Sequence, residues 1–322
     1  MGSEMCIRDS LQDSLGIVGA DRVHKIELEG QNITGKGLSV CIVDTGISPH
    51  PDFSGRILAQ HCFADDENPG DGIGYCPNGG EEDTNATDDN GHGTRVAGIV
   101  AANGGLKGMA PEVGIVAVKV CNSQGNCWAS DIAKGIEWCR EHKEDYNISV
   151  ITMSLGTRDV FSDPQTCANL TNQTITPAAN LAWKEGIFLD AASGNSWSTI
   201  GISNPACLEN VTSVAASSKE DRIAPYSNVH EELLDLVAPG DKINSTTLSG
   251  YGEGSGTSFA APHVAGAAVL LQQYSKLKND YFLEPEEIRL LLKRTGKPVP
   301  DDVYADRSGL YFPRIDIYNA VS

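Results

Sequence analysis

Long apolar stretches are missing from this chain of 322 residues. No run approaches the roughly 18 residues needed for a membrane-spanning helix. Basic residues are scarce: 24 Lys and Arg against 43 Asp and Glu give a formal charge of −19, which argues against nucleic acid or an anionic membrane as the main partner. Cys-x-x-Cys pairs are absent, so the usual cysteine spacing of a zinc site is not there. The seven histidines form no metal-ligand pair either, and His50, His61 and His263 read as structural or surface residues. Repeats and low-complexity tracts are lacking too. What remains is a length that can bury a generous core.

The first ten residues, MGSEMCIRDS, have no apolar core of the kind a secretory signal needs. They resemble a translated sequencing adapter, because ATG TGT ATA AGA GAC AG reads Met-Cys-Ile-Arg-Asp and then begins a codon that can be Ser. Residues 1–10 are therefore set apart, and residues 11–322 are expected to form one domain. Without Cys6, eight of the nine cysteines remain, an even number that suits disulfides. Cys62 with Cys76, Cys121 with Cys127, and Cys167 with Cys207 are the expected bridges. Cys41 lies in an apolar strand and Cys139 on a helix, where free buried thiols are the commoner state. Asn-x-Ser/Thr sequons at Asn32, Asn85, Asn147, Asn169, Asn172, Asn210 and Asn244 join the bridges in favouring an oxidising, extracytoplasmic location.

Short apolar runs recur as LSVCIVDTG, VGIVAVKV, ISVITMSLG, GIFLDAASGN, NVTSVAASS and LLDLVAPG. Several are separated by helix-like segments, DIAKGIEWCREHKE and TPAANLAWKEG. That alternation predicts an α/β fold of three αβα layers around a mostly parallel central sheet. Two further helices are expected, over residues 258 to about 277 and in EPEEIRLLLKRTG, where Glu286 and Glu287 suit the start and Gly296 the end. In such sheets ligands meet the carboxyl ends of the strands, and polar residues stand there.

Asp44 ends the run VCIVDTGI. His92 lies between glycines in DDNGHGTRVAGIVAA, and Ser258 in SGTSFAAPHVAG. Singly they could be a turn residue, a structural histidine and a helix cap. Together an acid, a base and a hydroxyl in that order are what nucleophilic acyl transfer requires. A lipase or esterase would instead show Gly-x-Ser-x-Gly with acid and base downstream of the serine, whereas Phe259 and Ala260 follow Ser258.

On these motifs the chain resembles the subtilisin-like serine proteases, or subtilases, from about GIVGADRVHKI to RIDIYNAV. The resemblance implies a serine endopeptidase with Asp44, His92 and Ser258 as catalytic triad and Asn195 with the Ser258 N–H as oxyanion donors. It further implies that Gly125, Asn126 and Cys127 form one substrate-binding edge and Ser154, Leu155 and Gly156 the opposite wall, both pairing with an extended peptide. A monomer is expected, with polypeptide substrates, no cofactor for the chemistry and a pro-segment that this chain lacks. The alternative is a catalytically silent secreted binding scaffold.

Three features depart from the family pattern. Arg95 stands where His is common, and AANGGLKGMAP is shorter than the segment that in many relatives forms a calcium-binding loop, although Asp52 remains. The acidic insertion DDENPGDGIGYCPNGGEEDTNATDD has enough carboxylates for a structural calcium ion, and a solvated acidic loop accounts for them equally. A bridge between Cys121 and Cys127 would stiffen the substrate edge.

Overall fold

The six apolar runs are inner strands of one ten-stranded sheet. The computed structural model describes residues 9–66, 70–170, 174–302 and 307–322. Residues 1–8, Asn172 and part of the acidic insertion lie outside the described residues. In chain order the strands are β1 Ser39–Asp44, β2 Ile57–Phe63, β3 Glu82–Asp83, β4 Gly114–Lys119 and β5 Ile148–Met153. They continue as β6 Phe188–Ala192, β7 Thr212–Ser217, β8 Leu236–Pro239, β9 Lys297–Pro300 and β10 Tyr311–Arg314. Across the sheet the order is β9-β10-β8-β7-β6-β5-β1-β4-β2-β3. Neighbours are parallel except at the edges, where β2/β3 and β9/β10 are antiparallel.

The near-continuous apolar runs follow from burial on both faces. Val40 and Ile42 of β1 point into one core, with Ile115, Val150, Phe188 and Val214. Cys41 and Val43 point into the other, with Val116, Val118, Ile151 and Leu189. The helices that cover these faces are α1 Asp9–Val18, α2 His92–Ala101, α3 Ala129–Glu141, α4 Ile175–Lys184, α5 Thr257–Asn279 and α6 Pro285–Thr295. Residues of α2, α5 and α6 fill the first core, and those of α3 and α4 the second. The result is the expected three-layer α/β arrangement. Leu11 and Leu15 of α1 are fully buried, so the segment after residue 10 packs with the rest.

One expectation is overturned. Cys41 and Cys139 are not free thiols but form a disulfide, with Cα atoms 6.2 Å apart and a sequence separation of 98. One lies on β1 and the other on α3, facing each other across the sheet–helix interface, an adjacency that apolar surroundings alone do not reveal. The other three expected bridges are all present.

The strand order places the site. From β1 the sheet grows one way through β4 and β2 and the other way through β5, β6, β7 and β8. Beside such a reversal a crevice opens at the carboxyl ends, and Asp44 is the last residue of β1.

Candidate active site

Asp44 is almost wholly buried, and its Oδ1 accepts hydrogen bonds from the Thr45 N–H at 2.7 Å and from His92 Nδ1–H at 2.8 Å. An ionised carboxylate only accepts, so the contact fixes the proton on Nδ1. The His92 side chain is 31% exposed against 2% for Asp44. Burial of the ring pulls its pKa down, but the Asp44 charge and hydrogen bond, with Asp88 beyond, outweigh this and hold it above the ordinary imidazole value.

The turn before α2 holds the ring in place. Asp88 Oδ1 accepts from Thr45 Oγ1, Asn90 N and Gly91 N, and its Oδ2 from the amide and hydroxyl of Thr94. One buried carboxylate thus ties the first turn of α2 to the end of β1. Gly93 permits the close approach: a methyl group there would lie 2.1 Å from Gly46 O and 3.2 Å from Asp44 Oδ1.

Ser258 is the second residue of α5, which begins at Thr257 behind Gly256. Its amide is among the first-turn N–H groups that have no intrahelical acceptor. Pro262 lies inside the helix and cannot donate to the Ser258 carbonyl. Asn195 Oδ1 accepts from the Thr257 N–H at 2.9 Å and from its hydroxyl at 3.1 Å. With the oxygen so engaged, the NH₂ group must point the other way. A methyl group on Gly256 would sit 3.1 Å from Ser258 Oγ and 3.6 Å from Asn195 Nδ2, so hydroxyl and carboxamide share one small space. Phe259 packs edge-on to the His92 ring, centroids 6.4 Å apart, which brings the first turn of α5 beside the imidazole. Ser258 and His92 are not hydrogen-bonded to each other; such contacts commonly tighten only with substrate in place.

A cleft of about 760 Å³ runs from Asp44 and His92 between the two expected walls, with Gly125, Asn126 and Cys127 on one side and Ser154, Leu155 and Gly156 on the other. Ser258 and Asn195 are not among its lining residues. The first wall is a tight hairpin: Cys121 pairs with Cys127, and Asn122 Oδ1 accepts from Gln124 N and Asn126 N. Tyr75 of the acidic insertion stacks on Trp128, rings 6.0 Å apart, next to this edge.

One polar side chain outside the motifs supports the same region. Lys119, fully buried at the end of β4, donates to Thr45 O, Cys121 O and Asp89 Oδ1 at 3.0, 2.8 and 2.7 Å. A lysine in the apolar run VAVKV was a visible signal. Asp52 is engaged by Gly105 N, Leu106 N and the Tyr251 hydroxyl. Its carboxylate thus braces the short loop itself. Arg95 donates to the carbonyls of Gly252 and Glu253. Among the described residues no three His, Cys, Asp or Glu side chains gather as a metal site.

Residues 35–309 match the Peptidase_S8 model, described as Subtilase family. The chain belongs to the subtilase family. It is 34% identical to the serine protease AprX of Bacillus subtilis over 85% of this chain and 64% of that protein, so it spans less than two thirds of that relative's length. It is 37% identical to subtilisin BL of Lederbergia lenta over 79% of this chain and 83% of that one. Among solved structures, a protease from Pseudoalteromonas arctica superposes with a TM-score of 0.74 at 30% identity, covering 89% of this subtilase and 90% of the other chain.

Proposed function

We propose that this subtilase is a serine endopeptidase that cleaves extended polypeptides through an acyl-enzyme. Ser258 Oγ attacks the scissile carbonyl carbon while His92 Nε2 takes its proton. The Asn195 NH₂ and the Ser258 N–H receive the oxyanion. The intermediate collapses by breaking the C–N bond as His92 returns the proton to the leaving amine. Water, activated by the same imidazole, then releases the acid and regenerates Ser258. None of these steps needs a cofactor. The observation that carries the reading is the pairing of two preset groups: an imidazole oriented by Asp44, and a carboxamide turned toward Ser258 by Thr257.

The edge Gly125, Asn126 and Cys127 and the wall Ser154, Leu155 and Gly156 would hold the substrate backbone as added strands, leaving sequence preference to side-chain pockets. Residues 11–322 are taken as one peptidase domain acting as a monomer, made with an N-terminal pro-segment. Four disulfides favour an oxidising, extracytoplasmic setting. The acidic insertion is the candidate place for a structural calcium ion. An unchanged melting temperature after chelation would remove that part.

The test is cleavage of a peptide library by the folded protein, with products read by mass spectrometry. Internal cleavage that disappears in Ser258→Ala supports the proposal. Intact peptides after exposure to folded wild type would overturn it.

A further inference from the structure

We propose that Asn228 is a positioning residue for the Asn195 carboxamide, clamping the turn that carries it; the role rests on the proteolytic reading. Asn228 is fully buried, and its four hydrogen-bonding groups are spent around residue 195. Its N–H donates to Gly194 O at 2.9 Å, and its carbonyl accepts from the Ser193 hydroxyl at 2.8 Å. Its Oδ1 accepts from two turn amides, Ser196 N at 2.8 Å and Ser198 N at 3.1 Å. Its Nδ2 reaches Ser203 Oγ at 3.4 Å. Residues on both sides of Asn195 are therefore held by one asparagine.

The turn needs such a clamp. Trp197 sits at φ 62°, a left-handed conformation that a bulky side chain adopts at a cost, and such strain persists only where surrounding contacts over-determine it. Asn228 Oδ1 bonds the amides immediately before and after this residue. On the other side Gly194, at φ 103°, lets the amide pack directly on the backbone: a methyl group there would lie 2.3 Å from Asn228 Nδ2. Thr257 sets which way the Asn195 carboxamide faces, and Asn228 sets where its Cα stands. Donors to an oxyanion act only when held at the right distance before the charge develops.

Asparagine suits the task because its oxygen takes two amide donors while its NH₂ meets a hydroxyl. Asn228→Asp keeps both amide contacts, whereas Asn228→Ala leaves them unpaired. The test is a double-mutant cycle with Asn195→Ala, using kcat and KM for a chromogenic peptide and the affinity of a peptidyl boronic acid. Wild-type cleavage, abolished in Ser258→Ala, is measured first and tests the proteolytic reading on its own. Asn228→Ala is expected to lower kcat about 10- to 100-fold with KM within about twofold, to weaken the boronate in parallel, and to cost less than about twofold once Asn195 is already alanine. Asn228→Asp is expected to recover most of the lost kcat. The inference is overturned if Asn228→Ala leaves kcat intact, or lowers it by the same factor in both backgrounds. It is also overturned if folded Asn228→Asp, judged by its melting curve, is as slow as Asn195→Ala.

Discussion

Asp44 Oδ1 and His92 Nδ1 are 2.8 Å apart, one nearly sealed from solvent and the other open to the cleft. The pair makes His92 a stronger base than a free imidazole and keeps Nε2 free of the proton. Only the neutral ring can accept the serine proton, so kcat/KM should rise with pH through the His92 pKa, with the acid limb centred above the ordinary value of about 6.5. Asp44→Asn should move that limb to lower pH and cut kcat by about 10⁴. Stopped-assay pH profiles of both proteins check this.

Gly256 leaves open the space that Ser258 Oγ and Asn195 Nδ2 share. Its φ of 154° also suits a residue without Cβ. Gly256→Ala should place a methyl group where the oxyanion forms. The kcat loss should approach the 10²–10³ seen when an oxyanion donor is removed from a subtilisin. The far-UV spectrum should stay native, since the crowding is local.

His24 and His263 are buried, and desolvation lowers both pKa values to about 4. His263 Nδ1–H donates to Phe259 O and Nε2 meets the Ser14 hydroxyl; His24 Nε2–H donates to Met109 O. Between about pH 6.5 and 4 the unfolded chain binds protons at these sites that the folded one does not, so stability falls with pH across that window. His92, raised on folding, contributes in the opposite sense: its stabilisation is present at low pH and lost as pH rises through its folded value. Asp190 and Asp131, raised by burial, act in the same sense as His92, so the two rings are isolated by comparing denaturant melts from pH 7 to 5 with those of His263→Gln, whose stability should fall less, or rise more, than that of wild type across that window.

The Cys41–Cys139 bridge ties β1, which presents Asp44, to α3. Replacing both cysteines by alanine should cost about 2–4 kcal/mol through the freed unfolded chain. A thiol titration of the denatured protein should find none of the eight cysteines of the four bridges reactive.

The inner strands and the flanking helices were readable because burial on both faces writes continuous apolar runs. The edges were not. In β2, Ile57–Phe63, only Cys62 is fully buried, so RILAQHCF carries polar residues through the strand; β9 and β10 hold prolines and lie beyond the last apolar run. At the site, Asp44, His92, Ser258 and Asn195 were proposed from the order of acid, base and hydroxyl and from motifs that resemble the subtilases, and the glycines among those motifs fit the close backbone approach found at Gly93 and Gly256. Asn228 was not: in PYSNVH nothing distinguishes an asparagine that clamps a turn from one at the surface. Its role appears only when residues 194–198 fold against it. Cys41 and Cys139 were missed for the same reason, since their adjacency is made by the packing of α3 on the sheet.

The account depends on Ser258 being a hydroxyl activated beside an oriented imidazole, and its most direct test is covalent labelling with a fluorophosphonate. The folded protein should take up one equivalent, mapped by peptide mass spectrometry to Ser258, with loss of peptide cleavage in proportion and much slower uptake in His92→Ala. A folded wild type that remains unlabelled at Ser258 would contradict it and leave the chain a subtilase scaffold without the chemistry.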